Sequence, residues 1–392
     1  MKNEQNESKI DYGIILSVLL LALISISTMY ATTRMIANTS LLPTIMQIFW
    51  YVVGTVAVIF VMQFDSEQLW KLAPAGYWLG NLLLLLVLFF YDRHLYATAG
   101  ARSWFRFGPV TFQPSEVAKI SYILMLARTV TKHNSEFDTH TNQSDFLLLG
   151  KIAAISFPPI FLIFIQTDLG TSLVFVAIMA GVILVSGVRW QILLPVFLVG
   201  TGMAALLLYL VIYNREFLIK LGFMPYQFKR VDSWLDPYHD ASNASFQLMQ
   251  AMKSIGSGRV VGKGFGVSEV YVPVRESDMI FSTFAENFGF VGGSILIFLY
   301  FMLTYQMVSV VFHTKNEFYA YIATGVIMMI VFHVLENIGM NIGMLPLTGI
   351  PLPFVSQGGS SLLANMLGVG LVMSMRYHYR SYLFSGEGED FH

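Results

Sequence analysis

The strongest constraint on this chain is a succession of apolar runs of bilayer-crossing length, most of them separated by only a few polar residues. They lie at about 12–31, 43–63, 73–91, 115–130, 148–165, 169–187, 190–213, 279–311, 317–340 and 360–376. Lipid offers no partner to a peptide group, so segments of this kind must close their own hydrogen bonds as helices. The predicted fold class is an all-α polytopic membrane protein of about ten transmembrane helices. Only 12% of the 392 residues are charged, against roughly a quarter in a soluble domain. The net charge of -1 shows no basic patch, which argues against nucleic acid as a partner. The absence of cysteine excludes disulfides, thiolate chemistry and Cys-ligated metals.

The opening MKNEQNESKI is too acidic and polar for a signal peptide, so the first run is a retained span after a tail at 1–11. The fourth run is short and holds Glu116 and Lys119, so it is either partly re-entrant or buried inside the bundle. The eighth would reach roughly 50 Å at 1.5 Å per residue, too long for a hydrocarbon core of roughly 30 Å, so it must tilt or project into water. With the N-terminus inside, the inner segments carry ten basic residues and the short outer loops carry four, Arg34, Arg93, Arg102 and Arg106. That asymmetry predicts cytoplasmic termini, long loops being weak voters. Residues 214–278 then form a large outer loop, and 378–392 a cytoplasmic tail whose acidic end is predicted to be disordered. A structureless loop of such length would be unusual, so this one is expected to fold over the mouth of the bundle, with FQLMQAMKSIG as an interfacial helix. Its GKGFG lacks the setting of a phosphate loop, and its glycines suit tight turns or close backbone approach.

Five polar clusters sit where polarity is expensive. In the loop after the third run, Arg102 and Arg106 either grip phosphate or belong, with Trp104, to an interfacial belt; Trp104 is also suited to stack on a sugar. Gln113-Pro114-Ser115-Glu116 reads as a helix start with Ser115 as N-cap. Glu116 and Lys119, three apart, form either a structural pair or a charged contact for a diphosphate. Asp168 is better placed to cap the sixth span than to catalyse. Arg275, Glu276, Ser277 and Asp278 carry charge directly into an apolar helix. Asp278 is either a charged helix end or a general base whose pKa burial raises, while Glu286 is expected to be hydrogen-bonded within the bundle. Finally, His333, Glu336, Asn337 and Asn341 precede GMLPLTGIPLPFVSQGGSS, a proline-broken apolar segment that should line a cavity. There Ser356 and Ser360 would present hydroxyl and N–H groups to an anion. His333 has no neighbouring ligand for a transition metal.

Together GARSW, QPSE with Lys119, QTDLGT, RESDMIFSTFAENFGFVGG and NIGMLPLTGIPLPFVSQGGSS resemble the SEDS family (shape, elongation, division and sporulation), in particular its rod-shape-determining RodA branch. The resemblance spans about Tyr12 to Tyr377. It implies a ten-span protein of the bacterial inner membrane, a peptidoglycan glycosyltransferase that polymerises lipid II beside a class B penicillin-binding protein and other elongation-machinery membrane proteins. The family's essential acid falls on Asp278, its loop tryptophan on Trp104, and its fourth-span pair on Glu116 and Lys119. A divalent cation (Mg2+ or Mn2+) is implied as an aid, with no organic cofactor. Thr167, Glu276-Ser277 and Gln357 depart from many relatives. The extra carboxylate of Glu276 either raises the pKa of Asp278 or helps hold a cation. Residues alone leave two other readings open, a flippase for lipid-linked precursor and a scaffold that activates a penicillin-binding protein.

Overall fold

The computed structural model describes residues 10–35, 41–108, 110–137, 141–220, 225–238, 243–314 and 316–385. Most of the predicted tail at 1–11 and the acidic end at 386–392 lie outside the described residues. Three long helices, α1 (Tyr12–Met35), α2 (Leu42–Val61) and α3 (Ser66–Phe90), open the chain. Asp65 and Gln68 form a capping box at the head of α3, which is why this helix starts seven residues before the predicted apolar run. A short α4 (Arg93–Ala99) follows, then an antiparallel hairpin of β1 (Phe105–Phe107) and β2 (Val110–Phe112). That hairpin corrects the all-α expectation locally; its Arg106 is paired with Thr111 across the ladder.

Next come α5 (Pro114–Glu136), α6 (Asn142–Ile165), α7 (Leu169–Val185) and α8 (Trp190–Tyr213). Pro114 occupies the first helical position of α5 and Gln113 is its N-cap, which displaces the predicted cap at Ser115 into the first turn. At 23 residues α5 is a continuous helix, not a re-entrant one. It packs on α3, α6 and α7 and is buried along most of its length. The long segment at 214–278 is not structureless: it contains α9 (Arg215–Lys220), α10 (Pro225–Leu235) and α11 (Asn243–Ser257), the last including FQLMQAMKSIG. The chain ends with α12 (Ile280–Thr314), α13 (Glu317–Asn341) and α14 (Gly359–Ser385), so the first part of the predicted tail continues a helix. All ten predicted runs are helical. Among the described residues seven helices are long and apolar enough to cross a membrane, and α7 is a shorter apolar one.

The long α12 neither tilts as one rod nor projects intact. It breaks at Gly289, whose φ of 64° and ψ of -162° are open to glycine and few others. The break exposes peptide groups inside the protein, and the glycine-rich strand of chain at 258–266 fills it. Phe290 and Val291 donate their N–H groups to the carbonyls of Arg259 (2.9 Å) and Val260 (3.0 Å). Lys263 and Gly264 donate to Glu286 (3.0 Å) and Asn287 (3.1 Å) on the other side. A β-carbon at Gly262 would lie 2.1 Å from the Asn287 oxygen, so the close approach that the glycines suggested is realised here. Around this plug α11 packs on α12 and α13, and its Leu248 and Ala251 meet Met340 and Met279, the residue before α12, in a small core separate from the main one.

Gly262→Ala should therefore destabilise the protein by about 2–3 kcal/mol through steric overlap at a left-handed position. Thermal unfolding of the purified protein should show a midpoint lower by roughly 5 °C, whereas Gly256→Ala, where a β-carbon meets nothing within 4 Å, should leave it in place.

Candidate active site

Asp278 lies two residues before α12, in a turn that Val274 enters with a left-handed φ of 53°. For a β-branched residue that conformation is strained, and Thr167 (φ 64°) and Phe354 (φ 63°) show the same feature beside Asp168 and Ser356. Two asparagines on one face of α13 hold the turn. Asn337 donates to the Asp278 carbonyl at 2.9 Å and Asn341 donates to it at 3.0 Å. Across the carboxylate stands Gly349, with a φ of 80°, where an added β-carbon would sit 3.4 Å from Asp278 Oδ2.

The side chain of Asp278 is crowded by protein yet only half-buried, so it keeps a route to solvent. Its carboxyl is pushed up to about 6, mainly because the crowding excludes water. The Ser277 hydroxyl and the Arg230 guanidinium oppose this rise, while Glu276 and Asp168 add to it. Arg230 comes from α10 and donates to the Thr348 carbonyl at 3.2 Å, and Trp234 Nε1 donates to the Gly343 carbonyl at 3.0 Å. These two bonds dock α10 over the proline-broken segment. Nothing local in the sequence singles out Arg230, since its facing Asp278 depends on how α10 folds back.

The predicted site residues divide into those at this cleft and those that build it. Asp168 is the N-cap of α7, accepting from the Thr171 N–H at 3.1 Å, and its other oxygen accepts from Gln113 Nε2 at 2.9 Å. Gln113 in turn donates its N–H to Ser360 Oγ at 3.1 Å. A polar path thus runs from the surroundings of Asp278 to the first turn of α14. There a groove of about 320 Å³ is lined by Trp50, Trp104, Gln47, Thr111, Gly358 and Gly359. Ser356 does not present its hydroxyl outward: it donates to the Ser277 carbonyl at 2.6 Å and accepts from the Leu352 N–H at 2.8 Å. It joins the Asp278 turn to the broken segment, and Gln357 does the same by donating its N–H to the Glu276 carbonyl at 2.8 Å.

Arg275 also turns inward. Its guanidinium is buried and donates to the Val270 carbonyl and Ser268 Oγ, both at 3.1 Å, rather than lying open to an anion. Glu286 is buried and hydrogen-bonded as expected, with its partners drawn from the segment at 254–270. It accepts from Ser254 Oγ (3.0 Å) and the Glu269 N–H (2.9 Å) and pairs with Lys263 Nζ (3.3 Å). Arg102 is exposed over the rings of Tyr91 and Tyr96, with its N–H on the Gln166 carbonyl. Glu116 and Lys119 form a buried pair at 2.9 Å, and Lys119 Nζ also lies 3.1 Å from His333 Nε2. The Met329 carbonyl takes the Nδ1–H of His333, which leaves Nε2 as the acceptor for the ammonium.

An apolar helical bundle with polar side chains gathered around a half-open carboxyl at one end has the architecture of an integral membrane protein. Over residues 10–381 the chain matches the FtsW/RodA/SpoVE family, described as a cell cycle protein, and it belongs to that family. It is 33% identical over 345 residues to the probable peptidoglycan glycosyltransferase FtsW of Thiomicrospira cyclica, covering 85% of this chain and 82% of that one. It is 31% identical over 329 residues to the peptidoglycan glycosyltransferase MrdB of Escherichia coli K12, covering 83% of each. A chain from a solved structure on the structural coordination of polymerization and crosslinking by a peptidoglycan synthase complex superposes with a TM-score of 0.76. Its identity is 26%, with 96% of this chain and 99% of that one covered.

The buried pair yields a stability prediction. Glu116→Gln leaves the Lys119 charge without its counter-ion and should cost about 3–5 kcal/mol. Thermal unfolding should then show Glu116→Gln with Lys119→Met together to be more stable than Glu116→Gln alone.

Proposed function

We propose that this protein polymerises lipid II into β-1,4-linked glycan strands with release of undecaprenyl diphosphate, serving cell elongation and rod-shape maintenance. It is a multi-pass peptidoglycan glycosyltransferase of the bacterial cytoplasmic membrane, as its family and relatives indicate. In the finer topology proposed, ten helices cross the bilayer, both termini are cytoplasmic, and the loop at 214–278 faces outward with Asp278 at its end. Residues 1–392 then make one membrane domain.

The observation that carries the mechanism is a half-open carboxyl whose pKa lies near 6. Asp278 takes the proton of the acceptor's GlcNAc 4-hydroxyl as that oxygen attacks the anomeric carbon of the donor. The bond from that carbon to the diphosphate breaks, and the configuration inverts. Negative charge grows on the departing diphosphate, so guanidinium groups near it favour the transition state over the ground state. Arg230 and the exposed Arg102 are suited to that part, and the groove beside Trp104 is suited to a sugar ring. Arg275, Glu116 and Lys119 support the site from within. Among the described residues no three His, Asp or Glu side chains converge to hold a metal. One or two carboxylates, together with phosphate oxygens of the substrate, would suffice to hold a divalent cation, the mode in which Mg2+ is commonly bound. A class B penicillin-binding protein and other elongation-machinery membrane proteins are the proposed partners.

Asp278→Asn keeps the shape and loses the base, so polymerisation of labelled lipid II in detergent should fall about 10²–10⁴-fold. Wild-type rates in that variant would defeat the mechanism, and an active wild type without two membrane sides is incompatible with a pure transporter. The wild-type rate should drop on acidification through pH 6, because the protonated acid cannot accept a proton. Arg230→Gln removes a charge that favours the carboxylate, so this acid limb should move to higher pH.

A further inference from the structure

We propose that Asn337 is a positioning residue for Asp278: its one amide ties together the two chain segments that wall the acid. This role rests on Asp278 serving as the base. The Nδ2 group of Asn337 has two hydrogens and both are used. One reaches the Asp278 carbonyl at 2.9 Å and the other the Ile350 carbonyl at 2.8 Å. Ile350 follows Gly349, whose backbone faces Asp278 Oδ2. From the α13 side, one buried side chain therefore bridges the turn that carries the acid and the backbone that crowds it, while Ser356 and Gln357 link the same two segments further along. Asn341, one turn along, adds a second bond to the Asp278 carbonyl at 3.0 Å and donates to the Asn337 carbonyl at 2.8 Å.

One turn in the other direction, the same face of α13 carries His333, which lies 3.1 Å from Lys119 of the Glu116 pair in α5. Residues 333, 337 and 341 repeat at i, i+4 and i+8, so they form one stripe along the helix. The stripe is pinned to α5 at its inner end and holds the acid at its outer end. These three polar side chains on a largely apolar helix that also buries Glu336 are costly, and each of the three is buried and bonded here. Neither carbonyl held by Asn337 belongs to a regular helix, so the helical ladder cannot position them.

The test is polymerisation of labelled lipid II by the purified full-length chain, with rate followed against pH and substrate. Asn337→Ala should lower kcat about 10- to 100-fold, since a small misplacement of a reacting group costs that much. KM for lipid II should stay within about twofold, because the groups expected to bind it are untouched. The acid limb should also move down from near 6 toward an ordinary carboxyl value of about 4, because a loosened turn lets water reach Asp278. The charged groups facing the acid, Arg230 from α10, Asp168 at the head of α7 and Glu276 in its own turn, are not themselves substituted in this variant.

A residue that merely stabilised the fold would reduce the active fraction and leave the limb near 6. That result, or wild-type kcat, overturns the proposal. Should Asn337→Ala not accumulate, Asn341→Ala decides. A limb displaced downward with kcat lowered about 3-fold supports the clamp, and a wild-type profile overturns it. Asp278→Asn assayed alongside separates the two ideas. If it is active, the acid has no part in the reaction. If it is inactive while both asparagine variants behave as wild type, only the positioning role fails.

Discussion

The end of the molecule that carries Asp278 depends on how the break in α12 is filled. At Gly289 the helix gives up its own hydrogen bonds in a place where unsatisfied peptide groups cost several kcal/mol each. Four backbone bonds from residues 259–264 replace them. Because backbone meets backbone, the intruding chain must be glycine-rich, and Gly258 and Gly262 would both clash with carbonyls of α12 if they bore a β-carbon. Glu286 then fixes the following stretch by accepting from the 254–270 region, including Lys263. The segment that reaches Asp278 therefore leaves from an anchored point.

The acid is held by a division of labour between backbone and side chain. Its carbonyl is held by amides from α13, and its carboxylate is left to the cleft. Tethering the carbonyl restrains the residue without neutralising the carboxylate, which stays available to a proton. Crowding raises the carboxyl and Arg230 restrains the rise, so the balance lies near neutrality rather than at either extreme. The Ser356 hydroxyl and the Gln357 N–H complete the wall by bonding backbone carbonyls of the Asp278 turn, while Gln357 also lines the groove beside Trp104.

Much of this was readable in the chain, but unevenly. Runs of apolar residues announce helices because lipid permits little else, and Asp168 announces its cap because a helix start needs an acceptor. The Gly256–Gly266 cluster pointed to close approach, though not to its target. Arg275 and Ser356 misled for one reason: a polar side chain beside an acid is equally suited to substrate and to the backbone of a neighbouring loop. The pair of asparagines on α13 did have a signal, since His333, Asn337 and Asn341 share one face of an apolar span. Arg230 had none, being one basic residue among several in a long loop.

What the sequence determined by itself is the membrane class and the helical runs, because both follow from local composition, while Asp278 was singled out as the candidate acid by a short motif and the family resemblance it carries. What only the tertiary structure decided is which distant groups surround that acid. Arg230, Asp168, Asn337 and Gly349 come from four separate segments, and their meeting depends on helix packing and on the plug at Gly289. Hydrogen bonds between segments far apart in the chain are set by the fold as a whole, so no local pattern of residues encodes them.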